Sequence, residues 1–242
     1  MQAIIFNSGV GSRMGALTEK RPKGLLEVGG ESLFYRQLRI LSGFGIRKFI
    51  VTTGKYEQDF KAEAEKIPDI SVKFVNNPLY RTTNYIYSFH LAKQFIRGDL
   101  LLLHGDLYFS EEAAKRLIES PHPDCCLINK KIPLPEKDFK ARLTGDVIKE
   151  ISVALTGNVP QGQTAAALQP FYKLSANLAE AWLDKAGEFI NSGKVNVYAE
   201  NALNEILHSA LLYGISYENE FVTEIDTPED HAKTQEFALR KN

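Results

Sequence analysis

This chain has no surplus of charge of either sign: 29 Lys and Arg stand against 30 Asp and Glu, a net charge of −1. Nucleic acid and anionic membrane surfaces recruit basic proteins, so neither is expected as a partner, and any grip on phosphate must be local. No apolar run approaches the roughly 20 residues that cross a bilayer. The opening Met1-Gln2-Ala3-Ile4-Ile5-Phe6 lacks the charge and the long apolar stretch of a secretory leader. Membrane insertion is therefore not expected. Cysteine is scarce, and its two copies, Cys125 and Cys126, are neighbours. That spacing suits neither a disulfide framework nor a zinc site, so they read as small core residues of a strand. The default compartment is a reducing cytoplasm.

Short apolar runs alternate with helix-period segments over most of the chain, the pattern of βαβ units. Strands are expected at Ala3–Phe6, Lys48–Thr53, Ser71–Val75, Leu100–His104 and Cys125–Asn129. The run from Leu100 to Leu103 is apolar on both alternations, as in a strand covered on both faces. Phe34, Leu38 and Leu41 share a helical face after Ser32, as do Ile86, Phe89, Ala92 and Ile96 after Asn84. Ser110 reads as an N-cap, and Thr227-Pro228 opens the last helix. From about residue 137 the texture changes to a hairpin around Thr144-Gly145-Asp146, a glycine- and glutamine-rich loop at 156–163, a strand at Ala165–Tyr172 and a helix after Ser175. The expected fold is α/β, with a mostly parallel central sheet between helices, Rossmann-like and three-layered. It is read as one domain over 1–242, with about 137–220 forming a small antiparallel lid on the substrate side.

Chemistry is concentrated after the first strand. Gly9, Gly11 and Gly15 allow backbone shapes in which amides can converge on a phosphate chain, and Arg13 and Lys23 add cations. Pro22 stiffens the approach to Lys23. Met14 stands where a dinucleotide fingerprint needs its third glycine, and no Gly-Lys-Ser/Thr closes a Walker loop. Asp106 follows Leu100–His104, at the strand end where α/β sheets place ligands. His104, at the strand end, could stand behind metal-binding carboxylates, but the favoured reading is a packed, satisfied histidine. Asp226 lies in Glu224-Ile225-Asp226-Thr227-Pro228, where alternation puts Glu224 and Asp226 on one side of an extended segment. Asp226 could alternatively belong to the cap of the last helix.

Gly9, Gly11, Arg13, Leu17, Thr18, Pro22, Lys23, Leu25, Val28 and Gly30 together resemble the nucleotidyltransferase superfamily that activates sugar phosphates and phosphorylated amino-alcohols. Its pattern runs L-A-A-G-x-G-x-R-x-x-x-L-T-x-x-x-P-K-x-L-x-x-V-x-G; the departures are Phe6-Asn7-Ser8 for L-A-A, and Gly24 after the lysine. The resemblance implies a Mg²⁺-dependent transferase in which Arg13 and Lys23 hold the triphosphate and act in catalysis. It implies that Asn7, Ser8, Gly9, Val10 and Gly11 touch the nucleotide, and that Asp106 and Asp226 hold the metal.

The segments Asn76-Asn77-Pro78-Leu79-Tyr80 and Thr83-Asn84-Tyr85-Ile86-Tyr87-Ser88 are similar to those of the phosphocholine-type cytidylyltransferases. That similarity implies CTP as donor, with Asn84 and Ser88 beside the base, although Asn84 equally suits a helix cap. A cationic head group calls for aromatic faces and carboxylates. Glu224, Tyr198, Glu200 and Tyr172 are the acceptor candidates, while Trp182, the single tryptophan, reads as core, so no tryptophan-rich box is expected. The expected partners are CTP and a small phosphorylated or phosphonylated amine: phosphocholine, phosphoethanolamine, 2-aminoethylphosphonate or a phosphorylated amino acid. The alternatives are a sugar-1-phosphate nucleotidyltransferase and a catalytically inactive nucleotide-binding module. A homodimer is left open.

Overall fold

The computed structural model describes residues 1–9 and 11–241, so Val10, one of the expected nucleotide contacts, lies outside the described residues. Its strands are β1 (Gln2–Asn7), β2 (Glu27–Val28), β3 (Glu31–Ser32), β4 (Lys48–Thr53), β5 (Ser71–Asn76), β6 (Leu100–His104) and β7 (Leu107–Phe109). They continue with β8 (Cys125–Asn129), β9 (Lys140–Thr144), β10 (Val147–Ser152), β11 (Thr164–Leu174), β12 (Tyr213–Ser216) and β13 (Val222–Glu224). The α-helices are α1 (Leu33–Gly43), α2 (Glu57–Ala64), α3 (Tyr85–Ala92), α4 (Glu111–Ile118), α5 (Ala176–Asn191), α6 (Ala199–Asn204) and α7 (Pro228–Lys241).

Nine strands form the main sheet in the order β5-β4-β1-β6-β11-β8-β12-β10-β9. The first half is parallel as expected, with β1 between β4 and β6 and β5 outside β4. The second half is not, apart from the parallel β8–β12 pair. β11 enters antiparallel between β6 and β8, and the β9–β10 hairpin joins the same sheet through antiparallel pairs to β11 and β12. The sheet is therefore mixed rather than mostly parallel. The physical reason is that an apolar run reports burial on both faces, not direction. β11 is buried from Ala166 to Leu174 and reads like a parallel strand.

Helices cover both faces. Phe34, Leu38 and Leu41 of α1 pack with Phe60 of α2 and Leu117 of α4 on one side. Phe89 of α3, Leu178 and Trp182 of α5 and Leu203 of α6 pack on the other. Trp182 is fully buried, and its indole N–H donates to the Ala199 carbonyl at 2.8 Å, which satisfies its one polar atom. Cys125 and Cys126 are buried free thiols in β8. No helix among the described residues is long and apolar enough to cross a membrane.

Caps fix where these helices start. The hydroxyls of Ser32 and Ser110 accept from the amides of Tyr35 and Ala113. α7 has a reciprocal cap: Thr227 Oγ1 accepts from the Asp230 amide, and Asp230 Oδ2 accepts from the Thr227 amide. A third cluster, including Met14, Leu26, Tyr108, Ile225 and Ala238, ties the glycine segment, β7 and the end of α7 together. It brings residues near 20, 106 and 226 to one end of the sheet.

Candidate active site

β1 delivers the chain to Gly9 at the end of the sheet, and Gly11 turns it at φ +66°, a conformation that favours glycine. A side chain there would also meet Lys23, because a Cβ would lie 2.9 Å from Lys23 Cγ. The Gly11 carbonyl accepts from the Met14 amide at 3.0 Å and from Thr18 Oγ1 at 2.8 Å, which holds the turn. Pro22 is extended, and the chain then makes a single turn over Lys23–Leu25. Lys23 is thereby aimed at the end of β6.

Asp106 leaves β6 after Gly105, whose amide donates to the Phe6 carbonyl at 3.0 Å. The Asp226 segment is tied to it by a main-chain bond from the Ile225 amide to the Asp106 carbonyl, 2.9 Å long. The two carboxylates then share one cation. Lys23 Nζ is 3.1 Å from Asp106 Oδ2 and pairs with Asp226 Oδ1, while Arg13 Nη2 lies 2.8 Å from Asp226 Oδ2. With the α7 cap made by Thr227 and Asp230, the Asp226 carboxylate is left for Lys23 and Arg13.

Burial disfavours the Lys23 ammonium, but Asp106 and Asp226 outweigh it and raise its pKa. Burial would likewise push Asp106 up, yet the charges of Lys23 and His104 bring it below its ordinary value. Arg13 is more than half exposed, so its pairing is worth little and it can turn to a ligand. Two hard carboxylate oxygens that converge on one cation fit Mg²⁺, which takes one or two carboxylates and completes its shell with phosphate and water.

Beside this pair lies a feature that the sequence reading missed. His104 is not satisfied. Its Nδ1 is 3.1 Å from Glu224 Oε1, and its Nε2 is buried without a partner among the described residues. Ligand atoms of His104, Asp106 and Glu224 all lie within 4.8 Å of one another. Burial raises the Glu224 pKa to about 7 against the pull of His104, with the charges of Asp106 and Asp226 adding to the rise. Burial opposes the His104 cation, but Glu224 and the two aspartates hold its pKa above the usual value. The pair thus keeps a proton near neutral pH.

Around His104 the rings close a circuit: Tyr85 at 4.7 Å, Phe139 at 6.4 Å, Tyr198 at 5.0 Å from Phe139 and 6.4 Å from Tyr85. Tyr198 is 39% exposed, and the Tyr85 hydroxyl is buried without a partner. Tyr85 stood inside a motif already singled out for Asn84. Phe139 comes from a distant hairpin, and only the tertiary fold brings it in.

The remaining expected contacts divide. A cleft of about 500 Å³ joins Ser8, Gly9, Arg13 and Asn84 to His104 and Asp106. Ser88 is fully buried: it donates to Ser8 Oγ at 3.1 Å and accepts from Asn77 Nδ2 at 3.0 Å. Ser8 passes its own proton to Thr52 Oγ1 at 3.0 Å. These hydroxyls form a closed chain beneath the cleft, so Ser88 supports its floor. Asn84 Oδ1 accepts from the Tyr85 amide at 2.7 Å as the cap of α3, while the residue also lines the cleft. Tyr172 and Glu200 are buried against each other, the phenol donating to Glu200 Oε1 at 2.9 Å, and Tyr172 packs on Trp182. Neither of that pair, nor Tyr198, is among the residues that line the cleft.

Comparison with known proteins adds to this geometry. The profile of the MobA-like NTP transferase domain matches residues 3–139. A CMP-5′-(3-aminopropyl)phosphonate synthase of Streptomyces rubellomurinus is 30% identical over 122 residues, 50% of this chain but only 19% of that protein. The choline-phosphate cytidylyltransferase of Streptococcus pneumoniae is 25% identical over 250 residues that span 100% of both chains. An inositol-1-phosphate CTP transferase of T. maritima has a TM-score of 0.79 at 19% identity, over 99% of this chain and 95% of that one, a likeness of fold.

Proposed function

The chain belongs to the MobA-like NTP transferase family, and from that premise we propose that it transfers CMP from CTP to a small phosphorylated or phosphonylated amine. The observation that carries the reading is the meeting of Lys23, Arg13, Asp106 and Asp226 at one end of a cleft that also reaches His104 and Asn84. Relatives named for an aminopropylphosphonate and for choline phosphate support a cytidylyl donor and an amine-bearing acceptor.

In this reading an oxygen of the acceptor's phosphate or phosphonate attacks the α-phosphorus of CTP. A P–O bond to the acceptor forms, the bond to the β-phosphate oxygen breaks, and pyrophosphate leaves. No protein nucleophile is needed, so the chain contributes positioning and charge. Asp106 and Asp226 would hold Mg²⁺, which supplies charge neutralisation between the two anionic reactants. Lys23 and Arg13 turn from the aspartates to the triphosphate and stabilise the leaving pyrophosphate. Glu224, aimed by His104, and the faces of Tyr85 and Tyr198 receive the acceptor's ammonium.

The test is a matrix of CTP, UTP, GTP, ATP and dTTP against phosphocholine, phosphoethanolamine, 2-aminoethylphosphonate and glucose-1-phosphate, read by pyrophosphate release with Mg²⁺. Release confined to CTP with an amine-bearing acceptor is expected. Turnover of glucose-1-phosphate with any nucleotide in preference to the amines would sink the acceptor assignment.

A further inference from the structure

Asn7 stands where the superfamily pattern has a small alanine, and Gly24 follows the lysine at a position that the pattern leaves open. The structure puts the two residues in contact. A Cβ built on Gly24 would lie 2.1 Å from Asn7 Oδ1, and one built on Gly105 would lie 2.0 Å from the same atom. Gly24 has no room to retreat, because Phe60 Cε1 stands 3.1 Å away from that Cβ position. The Asn7 carboxamide therefore fills the gap between two glycines, each of which is bonded to a residue of the site: Lys23 before Gly24, and Asp106 after Gly105.

We propose that Asn7 is a positioning residue whose carboxamide, wedged between Gly24 and Gly105, sets the spacing at which Lys23 meets Asp106. The proposal rests on the nucleotidyltransferase reading above. Asn7 is 7% exposed, and its Nδ2 has no acceptor among the described residues, so that nitrogen adds no hydrogen bond to the contact with the two glycines. Main-chain ties leave the wedge little slack. Asn7 is the last residue of β1, paired with Thr53 of β4, and the Phe6 carbonyl before it accepts from the Gly105 amide. The wedge and the aspartate loop are thus referenced to the same strand end. A change of one ångström between the loops would break the 3.1 Å contact between Lys23 and Asp106.

Asn7 and Gly24 should then be energetically coupled, and a double-mutant cycle reads that coupling. Asn7→Ala, Gly24→Ala and the double variant are compared with wild type for melting temperature, for Mn²⁺ affinity by titration calorimetry, and for kcat and KM. Gly24→Ala alone should lower kcat by about tenfold or more and, by parting Lys23 from Asp106, tighten Mn²⁺ binding. In the Asn7→Ala background the same change should cost no more than about threefold. Asn7→Ala alone should lower kcat more than it raises the KM for CTP, a split that a merely structural role would not produce. If Gly24→Ala fails to fold, folding of the double variant supports the wedge, and failure of both overturns it. Equal costs of Gly24→Ala in both backgrounds also overturn it. Should wild type transfer no nucleotide at all, the functional reading fails, whereas coupling in melting temperature and Mn²⁺ affinity still decides the wedge.

Discussion

Lys23 Nζ lies 3.1 Å from Asp106 Oδ2, and the same ammonium pairs with Asp226, so one side chain neutralises both carboxylates proposed to hold the metal. In the proposed function, Mg²⁺ and triphosphate would each compete with these ion pairs, and binding of one would release groups for the other, a thermodynamic coupling between the two ligands.

Lys23→Met removes the competing cation. Binding of Mn²⁺ in the absence of nucleotide should tighten by roughly tenfold, since an attraction of a kcal/mol or more no longer opposes the ion. Transfer activity should fall at the same time. Calorimetric titration of both proteins checks the first effect, and unchanged or weaker Mn²⁺ binding would contradict it.

Asp106→Asn and Asp226→Asn should each lower kcat by about 10²–10³-fold, the usual scale for loss of a key electrostatic group. Raising Mn²⁺ should recover part of the loss if the aspartates act through the metal. Asp106→Asn also leaves a buried ammonium with one partner fewer, so its melting temperature should drop. Full activity in either variant would remove that residue from the site.

Glu224→Gln tests the acceptor end. The KM for the amine-bearing acceptor should rise by about ten- to a hundredfold, the worth of a hydrogen bond to a charged group. The KM for CTP should stay near the wild-type value. A rise in the CTP term instead would move Glu224 to the nucleotide side.

Glu200 predicts a pH dependence of stability. Burial raises its folded pKa from 4.5 to about 8. The folded state therefore binds a proton that the unfolded state releases, and stability falls as pH rises from about 4.5 to about 8, then levels off. Glu200→Gln keeps an acceptor for the Tyr172 hydroxyl and removes the titration. Urea unfolding between pH 5 and pH 9 should show a steeper decline for wild type than for the variant; parallel curves would rule the linkage out.

Much of the cluster around Lys23, Asp106 and Asp226 was legible because each residue there carries its own local signal. Gly11 needs φ +66°, Pro22 stiffens the approach to Lys23, Asp106 follows a strand end, and Asp226 abuts Thr227-Pro228. That the two aspartates meet was only implied, since it depends on the main-chain bond between Ile225 and Asp106. The direction of β11 was not legible, because burial on both faces looks the same for either orientation. His104 read as a packed histidine, and only the fold shows its nitrogens divided between Glu224 and no partner at all. Tyr85, Phe139 and Tyr198 come from three separate segments, and no periodicity links them.

The most direct measurement follows the fate of two labels. CTP carrying ³²P at the α position, and separately at the γ position, is incubated with the protein, Mg²⁺ and phosphocholine or 2-aminoethylphosphonate. The account predicts the α label in a new cytidylylated acceptor and the γ label in pyrophosphate. Appearance of the γ label in the acceptor, or no transfer of the α label to either amine, would contradict it.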